Sequence, residues 1–203
     1  MTQAIIFGDT SRNGLLMIAA GGVVTGILTP LLPPLIDRIG GVPAYFGTAL
    51  VAIPFAILVF ILVRRAGTNP TWAALLAAII TMIAFVCAVN AAIFIDGQVP
   101  TATETGRNSL AGLAGGFTGA TLMALGLALL PAGPRDAVAW MPMVLVGTLL
   151  GELLALDKVL NLDLTSFLYP VWQAGVAVML VMALRRAKRA SVTRPAGPDR
   201  EIR

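Results

Sequence analysis

The 203 residues carry only 12% charged side chains against 58% apolar ones, with a net charge of +4 and a mean hydropathy of +0.89. Soluble domains carry roughly 25% charged residues. Half that share at this hydropathy excludes an ordinary soluble globule and reads as an integral membrane protein. There is no histidine, and the single cysteine, Cys87, lies in an apolar run. An intramolecular disulfide is therefore impossible, and the commonest metal ligand and general base are missing.

The basic excess does not point to nucleic acid. Seven of the fourteen Lys and Arg lie at or after Arg185. A basic tail behind a membrane helix is explained by topology and by attraction to anionic lipid.

About 20 apolar residues are needed to cross the ~30 Å hydrocarbon core. The first such run, 14–36, exceeds the roughly 7–15 residues of a signal-peptide core and reads as a retained first span. Five more follow, at 44–63, 72–95, 109–131, 137–156 and 164–184. These runs are too long and too rich in Ala, Leu and Gly for barrel strands, so an all-α bundle of six transmembrane helices over residues 1–188 is expected. Asn69-Pro70-Thr71 and Asn108-Ser109 read as the helix starts of spans three and four. Residues 189–203, with Pro, Gly and mixed charge but no apolar period, read as a disordered basic tail.

An even number of spans places both termini on one side. That side collects Arg12, Arg64, Arg65, Arg135 and the seven basic residues from Arg185 onward, against Arg38, Arg107 and Lys158 opposite. The positive-inside rule then predicts cytoplasmic termini in a plasma (bacterial inner) membrane. The opposite face holds the acids Asp37, Asp96, Glu104, Asp157 and Asp163.

A shift of about 93 residues lays spans one to three on spans four to six. AAGGVVTG and a following LLP in span one meet LAGGFTG and LLP in span four. With three spans per half, a true repeat would be inverted in topology, as in many transporters. Small residues also recur at helical spacing: Ala19, Gly22, Gly26 and Thr29; Gly112, Gly115 and Gly119; Gly147 and Gly151. Such stripes let helix backbones approach in lipid. Pro30, Pro33 and Pro34 are expected to break span one, and Pro54, Pro142 and Pro170 to interrupt spans two, five and six.

Glu152 is the acid that stands out, about five residues before the end of span five. Gly147, Thr148, Gly151, Glu152 and Ala155 fall on one helical face, which predicts that Glu152 points into the bundle. Asn90 lies at similar depth in span three, and Ser166, Tyr169 and Gln173 share a face of span six. Together with Thr148 they form a candidate ligand-binding pocket, since an intramembrane ionisable residue is a functional-site hypothesis by default. Packing through interhelical hydrogen bonds is the competing reading.

No constellation of an intramembrane enzyme is present: no histidine, no pair of aspartates within spans, and no phosphate-binding glycine loop followed by Lys-Ser/Thr. No catalytic residue, metal or cofactor is expected. The reading is a small-solute or proton-linked transporter or permease component with an outward-facing polar pocket. The alternative is a non-catalytic membrane subunit or scaffold that binds another membrane protein through its glycine-rich faces. The expected partners are the lipid bilayer, a second copy or another membrane protein, and a small solute.

Overall fold

The computed structural model describes residues 12–40, 44–66, 69–162 and 166–193, and every regular element among them is a helix. Five helices are long and apolar enough to cross a membrane: Arg12–Arg38, Thr71–Gln98, Glu104–Ala128, Ala137–Val159 and Leu168–Ala190. Their outward surfaces are apolar, with Val24, Ile83, Ile93, Phe117 and Leu149 all exposed. Those faces would be unstable in water and match a hydrocarbon environment.

The first crossing consists of α1 (Arg12–Leu28), a 3-10 turn at Thr29–Leu31 and α2 (Leu32–Ile39). The turn falls where Pro30 and Pro33 remove backbone donors, as the sequence predicts. The segment expected as span two is shorter in its pieces: α3 (Ala44–Val51) and α4 (Ile53–Ala66) part at Ala52. Pro54 sits in the first turn of α4, where its missing N–H deprives the preceding turn of a partner. Neither piece alone is long enough to cross.

Helix α5 (Thr71–Gln98) is followed by α6 (Glu104–Ala128). The expected start signals are revised here. Asn69 does not cap α5; its side chain accepts from the Ala132 N–H at 3.0 Å, tying two loops together. The start of α6 lies before Asn108, at Thr103, whose hydroxyl accepts from the Gly106 N–H. Next come α7 (Ala137–Gly151), containing Pro142, and α8 (Leu153–Val159), joined through a tightened turn at Glu152. Last is α9 (Leu168–Thr193). Pro170 does not interrupt it, because it lies in the first turn, where the missing N–H costs nothing. The helix runs on into the stretch read as a tail, and residues 194–203 lie outside the described residues.

Close contacts fix the direction of several helix pairs. Cβ atoms built on Gly22 and Gly26 of α1 would meet the α9 backbone at Ala174 and Pro170, so these helices are antiparallel. Gly115 approaches Ala88 and Ala92, and Gly126 approaches Ile80, setting α5 against α6. Gly112 and Gly116 of α6 lie against Gly151 and Gly147 of α7. The small-residue stripes are thus contact lines within the chain. Backbones approach so closely there that van der Waals packing replaces the hydrophobic drive lipid cannot supply.

The dry core fills the half of the bundle nearer the chain termini. Val59 and Val63 of α4, Ala73 and Ala77 of α5, Met123 and Leu127 of α6, Met143 of α7 and Leu180 and Leu184 of α9 are all buried there. The opposite half is packed differently.

Candidate functional site

In that opposite half the helices line a partly open cavity of about 270 Å³. Its walls come from Ala52 and Phe55 at the α3–α4 break, Thr81 to Ile93 of α5, Ala111 to Met123 of α6, Gly151 and Leu154 at the α7–α8 turn, and Leu168 to Gln173 of α9. The space is bounded by alanines and glycines of α5 and α6, whereas deeper in the core α6 presents Met123 and Leu127. Phe55, Phe85, Tyr169 and Trp172 supply aromatic surface. Phe55 meets Trp172 edge-on at 5.9 Å between ring centroids, and Phe85 lies 6.2 Å from Tyr169. Among the described residues, no Asp, Glu, Lys or Arg lines the cavity.

Three polar side chains fix the electrostatics of the wall. Gln173 is 2% exposed and its Nε2 donates to Thr29 Oγ1 at 2.8 Å. Thr29 Oγ1 in turn donates to the Thr25 carbonyl. The threonine proton is committed, so its oxygen can only accept from glutamine, which fixes the amide orientation. Gln173 Oε1 is left buried with no hydrogen-bond partner. An unpaired buried acceptor costs about 1–3 kcal/mol unless something supplies a donor. Trp172 spends its indole N–H on the Gly147 carbonyl, and Thr81 spends its hydroxyl proton on the Ala77 carbonyl.

Of the six residues the sequence singles out, Tyr169 and Gln173 line this cavity. Ser166 is buried but is not among the lining residues, and it donates to Asp157. The other three lie elsewhere. Asn90 is exposed among apolar residues and returns its amide N–H to the Val86 carbonyl of its own helix. That bond satisfies the side chain without any neighbour. Thr148 likewise donates to the Val144 carbonyl.

Glu152 corrects the expectation most sharply. It is exposed, not turned into the bundle, and accepts from the Ser109 hydroxyl at 2.9 Å. The reason is the width of the buried strip. Where α6 and α7 meet glycine to glycine, only the line Gly147, Gly151, Ala155 is covered. A residue about 100° further round the helix, as Glu152 is from Gly151, already stands clear of the contact. Sequence spacing had merged both lines into one face.

The acid that is embedded is Asp157, which the sequence placed on an anionic outer face. It is 7% exposed. Its carboxylate accepts from the Ser166 hydroxyl, from the Phe167 N–H at 2.8 Å and from the Leu168 N–H at 3.1 Å. Asp157 thus closes the orphan donors at the start of α9 and holds Tyr169 at the cavity wall. The sequence signal is faint: an acid nine residues before a hydroxyl that itself precedes a helix. Thr29, Phe55, Phe85 and Trp172 were likewise not legible as site residues. Only Thr29 stood out, as a member of a small-residue stripe.

No protein-family model, curated protein or solved structure matches the chain, so any functional reading rests on this geometry alone.

Proposed function

We propose that the protein is a multi-pass membrane protein that binds a small solute in this cavity, as a transporter or permease component rather than an enzyme. The observation that carries the reading is a preformed cavity walled by small residues and aromatic rings, with Gln173, whose carbonyl is buried and unpartnered, among its lining residues. A cavity of this kind with one convergent polar group is the usual form of a small-molecule site. The apolar core beneath it would seal one side, as alternating access requires. The proton-linked variant loses its motive, because Glu152 stands outside the cavity. The subunit reading loses its motive as well: the glycine faces invoked for a partner pack against helices of the same chain.

In this proposal α3 and α4 together form a sixth, broken crossing. The direction of packing supports it, since Gly47 approaches Ile36 and Gly21 approaches Leu58, which sets this segment antiparallel to α1–α2. The inverted repeat belongs to the same proposal. Its support is that Gly22 and Gly26 of span one and the matching Gly115 and Gly119 of span four each meet an antiparallel neighbour, the third span of the other half.

Charge segregation supports cytoplasmic termini. In a Cys87→Ala background, Thr101→Cys is expected to react with an impermeant thiol reagent in intact cells, and Asp136→Cys to react only after lysis. The reverse pattern would invert the orientation, and labelling of both in intact cells would mean that α6 does not cross.

The solute-binding reading is tested by heating the purified full-length protein with a panel of small neutral, cationic and anionic solutes. At least one class is expected to raise Tm in a saturable way. A panel with no stabilising member would sink it.

A further inference from the structure

The connection between α6 and α7 is flanked by the two most exposed large apolar side chains among the described residues. Leu129, just past the end of α6, is 82% exposed, and Val138, in the first turn of α7, is 79% exposed. Apolar surface of that extent is costly in water, so this connection lies against the membrane rather than beyond it. The Asn69–Ala132 bond ties the start of α5 to the same loop, and Trp72 stands exposed in the first turn of α5. An exposed tryptophan at that level is the ordinary mark of a membrane interface.

Two arginines meet between these apolar side chains. Arg135 is exposed and has no carboxylate partner among the described residues. Arg186 comes from the far end of α9, and its Nη1 donates to the Val138 carbonyl at 3.4 Å. That bond aims the guanidinium at the loop and leaves the rest of its fork of donors unspent. Asp136 is the one acid at this end of the bundle among the described residues, and no ion pair joins it to either arginine. Arg185, Lys188 and Arg189 extend the positive field along α9.

We propose that this spot docks an anionic phospholipid, its phosphate held between Arg135 and Arg186 and its acyl chains lying along Leu129 and Val138. The two features together select the partner. A soluble phosphate would engage the arginines and leave the apolar side chains bare. A zwitterionic lipid would cover those side chains but bring a cation into a positive site. Planar guanidinium forks match phosphate oxygens, and basic pockets between membrane helices are where anionic headgroups lodge. Occupancy would clamp the α6–α7 connection to α9. Neither a solute in the cavity nor the side on which the termini lie enters into this.

The test is the Tm of the purified full-length protein in neutral detergent as phosphatidylglycerol, phosphatidylcholine or glycerol 3-phosphate is added. Phosphatidylglycerol is expected to raise Tm in a saturable way, and the other two are expected to leave it unchanged. In Arg135→Gln/Arg186→Gln the half-saturating lipid concentration is expected to rise about thirtyfold. Arg12→Gln, which removes the same charge from the first residue of α1, is expected to respond as the parent does. Should the double variant misfold, Arg135→Gln alone is expected to show a rise of about fivefold. No response to phosphatidylglycerol, or an equal response to phosphatidylcholine or glycerol 3-phosphate, overturns the proposal. So does an arginine variant that responds like the parent, or an equal loss in Arg12→Gln, which would mark general attraction to the basic rim.

Discussion

Gly151→Leu is expected to be among the most damaging single substitutions in the chain, costing about 3 kcal/mol or more. A Cβ at this position would overlap the Gly112 carbonyl, and the reciprocal addition at Gly112 would overlap the Gly151 carbonyl. Both obstacles are backbone. A flexible side chain could swing away, but two helix backbones can yield only by separating, which would unpack α6 from α7 along the whole line through Gly116 and Gly147. Gly97→Ala is the matched control, since a Cβ there meets nothing within 4 Å. It is expected to be neutral or to stabilise by about 0.5 kcal/mol through reduced backbone freedom. Denaturant unfolding of both variants in detergent checks the pair. Equal stability of Gly151→Leu and the parent protein would mean that the glycine contact is not where α6 and α7 are held.

The second large effect is expected at Asp157. Asp157→Ala strands the Ser166 hydroxyl and the Phe167 and Leu168 N–H groups at the start of α9. Hydrogen bonds to a charged acceptor contribute about 1.5–3 kcal/mol each, though not additively. A loss of about 3 kcal/mol is expected, seen as a fall in Tm. Asp157→Asn should fall between the two. The Ser166 hydroxyl can reverse to accept from the new amide, but a backbone N–H cannot. The two N–H donors fall on different carboxylate oxygens, so either orientation of asparagine opposes one of them. An alanine variant as stable as the parent would show that the start of α9 does not depend on this carboxylate. Because the same cap positions Tyr169, the loss should also weaken any solute bound in the cavity.

Periodicity and length in the sequence suffice for the helical membrane class, because an apolar run of about 20 residues leaves little else to do. They also suffice for the lines of contact: Gly22 with Gly26, and Gly147 with Gly151, do face neighbouring helices. What they miss is how narrow those contacts are. A stripe of glycines predicts a close approach, but not that the next residue round the helix, Glu152, is left outside. Asn90 shows a related failure, since an amide in a membrane helix can satisfy itself on its own backbone. Gln173 and Tyr169 were legible because a polar pair at helical spacing in an apolar run has to be buried or costly. The aromatic wall was not, because Phe55, Phe85 and Trp172 come from three separate segments and only the fold brings them together. Asp157 was hidden by its loop position, which reads as solvent-facing until the start of α9 is known.

The central claim is that the cavity, and not Glu152, holds the solute. The most direct measurement compares solute-induced stabilisation in Val89→Trp and Glu152→Gln against the parent, using whichever solute raises Tm. Val89 is half-buried on the cavity wall, so the larger ring can fill the space without displacing backbone. Val89→Trp is expected to stay folded and to lose the solute response, while Glu152→Gln keeps it in full. A Val89→Trp protein still stabilised as strongly as the parent, or a Glu152→Gln protein that is folded but unresponsive, would contradict it.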